Sequence, residues 1–360
     1  MIMFEALKSF GLLDKVDTVN KRGRGTINRT YIVNENGNRY ALQLIDFNVF
    51  PNVEKVIKNI DLVTHHLKVV KNDYDAYIIY GKEKSQHVLV NESYWRCYKL
   101  RDNEEIYNYF ENEKMYYEIG KILGKFHRLT ADFDATKLEM TIPNFHSTFE
   151  HYQKYLEANE QCKSDKYLYT WNEYKFIVDR EKDLKIISNL RDNGIVPLRV
   201  THNNVRKANI IFEKDTYRAL HLIGFDAIMP GTILRDFGEM ARYAFNSTKE
   251  AEKNLESVHF RIDLFREGLR GYLNEVKDII TKTELKYLVD AIRIMALEYG
   301  IRHLTDYLLD GKNFNPIYDT DSWDICKNQF KLVQDIENNY DTLQSVVRKV
   351  AFEVIGITDL

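Results

Sequence analysis

Hydrophobic periodicity changes near residue 100, and this change constrains the fold more than any other feature of the sequence. Before it, the β-branched runs at 26–33 and 39–45 flank the cluster NENGN, which is typical of a β-hairpin. Three further short apolar runs follow before residue 100, and one helix is predicted among them because residues 53–67 have apolar side chains at helical spacing. The first hundred residues therefore predict an antiparallel sheet with one helix.

The remainder of the chain is predicted to be mainly helical. Helical spacing of apolar residues occurs in MYYEIGKILGKFHRL, again at 285–299, and in one long last helix at 326–347. We therefore expect an α+β fold with a small lobe at 1–100 and a large, mainly helical lobe at 101–360. The hinge is expected near 96–102, and a ligand is expected in the cleft between the lobes.

Composition and charge exclude several classes of protein. With 44% hydrophobic and 29% charged residues, the chain is expected to be globular. The net charge of -3 and the lack of a long basic run argue against nucleic-acid binding. Three widely spaced cysteines predict reduced thiols, and no signal peptide or membrane-spanning run is apparent, so we expect a cytoplasmic protein without membrane attachment.

The segment THNNVRKAN, residues 201–209, contains the most specific chemical pattern. A strand, a His-x-Asn, an asparagine five residues later and a second strand have the layout of a kinase catalytic loop. In such a loop an aspartate orients the acceptor hydroxyl and an asparagine binds magnesium; Asn204 and Asn209 occupy these two positions. Taken alone, the stretch is equally compatible with an asparagine-rich turn held by side-chain hydrogen bonds.

Two other segments bear on the same chemistry. A strand ending in a magnesium-binding aspartate is expected next, but IGFD has Gly224 at that point and Asp226 two residues later. If the strand stays extended, both residues point to one face, and Asp226 could reach the cleft. Gly23 and Gly25 in GRGTIN would let backbone amides approach phosphates, although an ordinary entry turn explains them as well.

Six motifs agree in order and spacing with one known family. They are GRGTINRTY, YALQLIDFNVF, YWRCY, LRVTHNNVRKAN, IGFDAIMPG and RDFGEMAR, and the agreement runs from about residue 20 to 340. On these motifs the sequence resembles the aminoglycoside phosphotransferase/choline kinase family, and within it the N-acetylhexosamine 1-kinase branch.

The resemblance implies a protein-kinase-like fold that binds ATP and Mg²⁺ between its lobes. It also implies phosphoryl transfer to the anomeric hydroxyl of an N-acetylated hexosamine. Carried over by position, Gly23 and Gly25 would cover the phosphates, Gln43 would lie on the nucleotide-contacting strand, Asn209 would hold metal, and Tyr94, Trp95 and Arg96 would border the hinge or cleft.

The sequence departs from the branch at catalytic positions. Asn204 replaces its catalytic aspartate, Gly224 replaces its magnesium aspartate, and Leu44 replaces a basic residue. These losses weaken the expected Mg²⁺ site and favour a pseudokinase, or a strongly impaired kinase, that binds a nucleotide, an amino-sugar-like molecule or a protein partner. An active sugar kinase using Asp226 and Asn209 for metal is the alternative, and nucleotidyl transfer on the same scaffold is a third.

Several other residues in these motifs are interpreted as structural. His127 and His202 are interpreted as buried hydrogen-bonding residues, and Asp236 is expected to brace the catalytic loop or cap a helix. Arg206 could contact a phosphate or a sugar, or lie on a solvated surface.

Overall fold

The computed structural model describes residues 2–12, 16–22, 28–45, 52–70, 78–79, 81, 85, 87–145, 147–162, 164–311 and 322–360. The strands are β1 (Val16–Arg22), β2 (Asn28–Glu35), β3 (Asn38–Ile45), β4 (Ile78–Ile79), β5 (Val88–Val90), β6 (Ser93–Leu100), β7 (Glu104–Glu105), β8 (Arg199–Thr201), β9 (Ile210–Glu213), β10 (Ala219–Leu222) and β11 (Met229–Gly231). The helices are α1 (Ile2–Ser9), α2 (Val53–Val70), α3 (Lys114–Leu129), α4 (Thr148–Gln161), α5 (Lys166–Tyr169), α6 (Trp171–Val178), α7 (Ile186–Asp192), α8 (Ile233–Ala244), α9 (Ile262–Val276), α10 (Lys282–Lys286), α11 (Leu288–Leu308), α12 (Ser322–Asn338) and α13 (Tyr340–Ile355).

The predicted α+β architecture is confirmed. An antiparallel sheet in the order β1-β2-β3-β6-β4, with β5 also paired to β6, precedes the mainly helical part of the chain. The predicted hairpin is β2–β3, and its turn residues Asn36 and Gly37 both have positive φ, 48° and 75°. Such a turn matches the right-handed twist of the two strands.

The two faces of this sheet contact different partners. One face packs on α1 through a small apolar core that includes Leu7, Leu42 and Trp95. On the other face, Ile32, Ala41, Tyr98 and Leu100 of the sheet pack against Ile106, Ile211 and Ile223. Side chains alternate along a strand, so neighbours in β6 point to opposite faces.

The predicted hinge near 96–102 overlaps the end of β6 and stays a prediction. Residues 96–100 lie inside β6, and β7 already pairs with β9 in the second sheet. The connection is therefore confined to 101–103, because the sheet hydrogen bonds on both sides fix the backbone. The lobe boundary at residue 100 stays a prediction.

One large apolar core holds the helical part together. Helix α11 is buried on nearly every side and packs against α4, α8 and α12. Helices α3 and α9 approach so closely that a Cβ on Gly120 would lie 1.9 Å from the backbone oxygen of Gly268. The short strands and the catalytic loop lie against this core, which gives the site a rigid base.

Two helix predictions were wrong in their bounds. The expected long helix at 326–347 is divided into α12 and α13 at Asn339. The expected helix at 285–299 is also divided: its first residues belong to α10, and the rest belong to α11, which begins after Tyr287. Thr281 and Glu284 form a capping box at the start of α10. Apolar spacing continues across both breaks because the helices on either side bury the same core, so periodicity alone does not reveal them.

Candidate functional site

The predicted catalytic loop is held by a single carboxylate from α8. Asp236 accepts hydrogen bonds from the backbone N–H groups of His202 and Asn203, both at 2.6 Å. Asn203 has a φ of 61°, and its amide donates to Thr201 Oγ1 at 2.9 Å and to the Ala227 carbonyl at 2.8 Å. These bonds fix an otherwise uncommon backbone conformation. The expectation that Asp236 braces this loop is confirmed.

The two histidines beside this carboxylate are structural, as interpreted from the sequence. His127 lies with Nε2 3.0 Å from Asp236 Oδ2 and Nδ1 2.9 Å from the Tyr272 hydroxyl. His202 lies with Nε2 3.1 Å from the Ile223 carbonyl, and burial lowers its pKa to about 4 against the opposing effect of Asp236. A neutral His202 at pH 7 follows.

Burial alone would raise the pKa of the Asp236 carboxyl. The hydrogen bonds from His127 and from the His202 backbone outweigh that effect and hold the pKa below its usual range. Asp236 is therefore an anion at neutral pH, because hydrogen bonds donated to a carboxylate favour its ionised form.

Asn209 and Gly224 are packed directly against each other. Gly224 has a φ of +88°, and a Cβ built on it would lie 2.6 Å from Cγ and from Oδ1 of Asn209. The Asn209 amide donates to the Asn204 carbonyl at 2.9 Å, and the Asn209 carbonyl accepts from Ile223 N–H at 2.8 Å. The asparagine side chain therefore fills the space that a side chain at 224 would need.

The chain after β10 is not extended, which corrects the expectation that 224 and 226 share a strand face. Gly224 is in the left-handed region, and Phe225–Ala227 form a 3₁₀ turn. The turn directs Asp226 towards the sheet, where its Oδ2 lies 2.6 Å from Nη2 of Arg96. This ion pair is almost completely buried, with side-chain exposures of 4% for Arg96 and 0% for Asp226.

Gln43 and Arg96 are directly opposite in β3 and β6, so their side chains meet on one face. Arg96 Nε donates to Gln43 Oε1 at 3.1 Å, and Gln43 Nε2 donates to Thr30 Oγ1 at 2.9 Å. The same Gln43 nitrogen lies 3.4 Å from Asn209 Oδ1. We call this buried set the cleft polar cluster; it comprises Thr30, Gln43, Arg96, Asn209 and Asp226.

The structure thus brings together four of the predicted site residues. Gln43, Arg96, Asn209 and Asp226 form the cleft polar cluster, and Asn204 is buried beside it with its carbonyl bonded to Asn209. The predicted phosphate-covering Gly23 and Gly25 lie outside the described residues. Trp95 points to the opposite face of the sheet, into the core under α1, and Tyr94 contacts the ring of His87, so of these three neighbours only Arg96 enters the cluster.

Arg206 does not lie on a solvated surface, which was one of the two roles considered from the sequence; contact with a phosphate or a sugar stays a prediction. The Arg206 guanidinium lies 2.9 Å from Glu250 and 3.4 Å from Glu239, and Arg242 pairs with the same two carboxylates. Burial raises the pKa of Glu250, but both guanidinium groups outweigh it and hold the pKa far below the usual value. Arg206 is therefore neutralised within the protein.

Sequence reasoning missed two residues that position the cluster. Thr30 lies directly opposite Gln43 in the β2–β3 hairpin, so the register of the predicted hairpin could have identified it. Asn59 on α2 donates to the carbonyls of Glu139 and Ile228 and accepts from Glu139 N–H. It links α2 to the turn that carries Asp226, and no local pattern in the sequence marks it.

The donor set fits a divalent metal poorly. Mg²⁺ prefers several hard anionic oxygens, whereas the cluster contains one carboxylate, Asp226, and Arg96 already neutralises it. Across the described part of the chain, no group of three or more His, Cys, Asp or Glu residues is placed to hold a metal ion.

None of the described helices combines the length and apolar character needed to span a bilayer.

Comparison with known proteins gives the family and the fold. A choline/ethanolamine kinase family protein from Mesorhizobium loti superposes with a TM-score of 0.59 at 12% identity, covering 97% of this chain and 100% of its own. An aminoglycoside phosphotransferase from Alicyclobacillus acidocaldarius superposes with a TM-score of 0.56 at 12% sequence identity, and the superposition covers 96% of each chain. Spectinomycin phosphotransferase, solved with ADP and spectinomycin, superposes with a TM-score of 0.53 at 14% sequence identity, covering 99% of this chain and 98% of its own.

The model of the phosphotransferase enzyme family matches residues 18–268, more than half of the chain. The chain therefore belongs to the phosphotransferase enzyme family, and its fold is that of the aminoglycoside phosphotransferases and choline kinases.

Proposed function

We propose that this protein is a nucleotide-binding phosphotransferase relative that has lost all, or nearly all, phosphoryl transfer. The packing of Gly224 against Asn209 carries this proposal. The strand-end position that supplies the metal carboxylate in kinases has no side chain here, and Asn209 occupies the adjacent space. The defect is therefore built into the packing of the site, and a new rotamer would not repair it.

Asn204 adds a second, independent defect. An amide cannot accept the proton of an acceptor hydroxyl, and loss of general-base help costs about 10²–10⁴ in rate. Positioning matters more than deprotonation in a loose phosphoryl-transfer transition state, so Asn204 alone would leave a slow enzyme. Combined with a metal site that lacks its main carboxylate, it predicts turnover close to background.

The alternative of metal binding by Asp226 and Asn209 has less support. To bind Mg²⁺, Asp226 would have to leave Arg96, whose guanidinium would then be a buried unpaired charge. Breaking such a pair costs about 3–5 kcal/mol. Asn209 would also have to give up its bond to the Asn204 carbonyl.

Relatives and motifs guide the choice of ligands. Spectinomycin phosphotransferase has been solved with ADP and with AMP, which supports a nucleotide in the cleft of this chain. The resemblance to the N-acetylhexosamine 1-kinase branch supports an amino sugar as the acceptor-like ligand. If the protein acts without catalysis, a protein partner would sense the nucleotide-bound state.

The test is a turnover assay with ATP and Mg²⁺ against N-acetylhexosamines, choline, ethanolamine and aminoglycosides, with products analysed by mass spectrometry. We expect no product above background, also for Asn204→Asp, because that variant does not restore the carboxylate missing at 224. Turnover at an ordinary enzyme rate of about 1–10³ s⁻¹ would refute the proposal. A product heavier by a nucleotide, in place of a phosphate, would establish nucleotidyl transfer.

A further inference from the structure

Two of the three nitrogens of the Arg96 guanidinium have a hydrogen-bond acceptor among the described residues, and the third has none. Nε donates to Gln43 and Nη2 to Asp226, which fixes the plane of the group. Nη1 is buried and has no hydrogen-bond partner among the described residues, although Arg96 is only 4% exposed. A buried donor left without an acceptor costs about 1–3 kcal/mol, and more when it is charged. An anionic oxygen at Nη1 would remove that cost.

This guanidinium also has a special place in the fold. Kinases supply a positive charge to the nucleotide phosphates from a lysine on the third strand, and a glutamate of the following helix holds it. Here β3 carries the neutral Gln43, and its cross-strand partner Arg96 brings the charge from β6. The cation on this face of the sheet therefore comes from β6, the strand next to β3.

The carboxylate that pairs with Arg96 comes from outside α2. Helix α2, which follows β3, has two acidic residues, Glu54 and Asp61, and both are exposed. The buried α2 residue near this turn is Asn59, which bonds the Ile228 carbonyl. Asp226 instead holds Arg96, so the turn after β10 provides the carboxylate that a helix provides in other kinases.

We propose, building on the function proposed above, that Arg96 Nη1 binds the phosphates of a nucleoside diphosphate or triphosphate directly and without a divalent metal. Arg96 takes over the charge of the missing cation, while Gln43 and Asp226 orient it. A fixed guanidinium presents planar donors that match phosphate oxygens. Added Mg²⁺ would find no second carboxylate beside Asp226 to hold it, and would therefore change the affinity for the nucleotide little.

The experiment measures ADP binding by calorimetry to the full chain, in EDTA and in Mg²⁺, with adenosine as the ligand lacking phosphates. We expect the two ADP affinities to agree within about threefold, since the charge comes from the protein, and adenosine to bind at least about tenfold more weakly. Pyrophosphate should compete with ADP in EDTA.

Two variants separate the role of Arg96 from general damage. Arg96→Lys keeps the positive charge but removes the N–H groups of Nη1. We therefore expect the affinity for ADP to fall at least tenfold and the affinity for adenosine to stay unchanged. Arg39→Met is the matched control, because Arg39 pairs with Glu105 at 2.7 Å on the same sheet but outside the cleft polar cluster. It should bind ADP like the parent protein.

Several outcomes would overturn the inference: ADP binding more than tenfold tighter with Mg²⁺, equal affinities for ADP and adenosine, or no nucleotide binding at all. If Arg96→Lys does not fold, the EDTA, Mg²⁺ and adenosine measurements on the parent protein decide alone. Efficient turnover would refute the proposed function instead. Absence of both turnover and nucleotide binding would leave the loss of catalysis standing and remove the role given to Arg96.

Discussion

The Asn209 side chain lies where a side chain on Gly224 would have to begin. The distance of 2.6 Å from the missing Cβ to Asn209 Cγ is far below van der Waals contact, and the φ of +88° at 224 is strained for any residue with a Cβ. Packing against Asn209 therefore leaves no room for a side chain at 224 in this arrangement, and the left-handed backbone adds strain.

Replacing Gly224 by alanine should destabilise the protein more than the same change at Gly194. Both glycines have positive φ, but the Cβ of Ala at 194 would meet nothing within 4 Å. We expect about 1–2 kcal/mol from backbone strain at Gly194 and a further 1–3 kcal/mol, roughly, from overpacking at Gly224. Urea denaturation of the two variants measures the difference.

The source of the extra cost can be checked in a second background. If the clash with Asn209 causes it, Gly224→Ala should cost no more than Gly194→Ala once Asn209→Ala has been introduced. Equal costs at both glycines in the parent protein would contradict the packing argument.

Arg96 and Asp226 should show strong energetic coupling. Arg96→Met or Asp226→Leu each leaves a buried charge unpaired, which costs about 3–5 kcal/mol, whereas the double variant leaves none. We expect the double variant to lose clearly less stability than the sum of the single losses. A double-mutant cycle on Arg261 and Asp263, an exposed pair at 2.9 Å, should give only about 0.2–1 kcal/mol. Similar coupling in the two cycles would count against a dry ion pair in the cleft.

Asp236→Asn should loosen the catalytic loop. The carboxylate accepts from two backbone N–H groups and contacts His127, and an amide would place an NH₂ group against one of these donors. We expect a loss of about 3 kcal/mol, since hydrogen bonds to charged groups are worth about 1.5–3 kcal/mol each and are not additive. Hydrogen exchange of the His202 and Asn203 amides should accelerate. Asp132→Asn, at an exposed carboxylate, should change stability by less than about 0.5 kcal/mol.

Stability should fall as the pH falls from about 6.5 towards 4. Burial lowers the pKa of both His202 and His151 to about 4, against the opposing effects of Asp236 and Glu298, from an ordinary value of 6.5. Between these values the unfolded chain binds more protons than the folded one, so the free energy of unfolding rises with pH in this window. The contribution is complete above pH 6.5 and is lost as the pH approaches 4.

Denaturation curves at several pH values check this prediction. His202→Gln should reduce the slope of stability against pH by up to one proton, while His65→Gln, at an exposed position on α2, should leave it unchanged. A parent protein equally stable at about pH 7 and about pH 4.5 would contradict it.

Local patterns predicted several of the helices and strands and marked some residues of the cleft polar cluster. The hairpin β2–β3, the helices α2 and α3 and the catalytic loop each have short-range signals, because turn residues, apolar spacing and a fixed motif act within a few residues. Asn209 followed from its spacing to Asn204. Helix breaks at Tyr287 and Asn339 were missed, since the apolar stripe continues through them.

The sequence alone indicated the family and a sheet followed by a mainly helical region, and it placed Asn204 and Gly224 in the two loops of interest, because residue identity and spacing carry these directly. Only the tertiary structure shows what surrounds those two residues. The pairing of Asp226 with Arg96 joins residues 130 positions apart, and the left-handed turn at Gly224 and the space filled by Asn209 depend on how two separate loops pack together. Such contacts depend on sheet register and on the packing of the loop under β3 and β6, which no local pattern encodes.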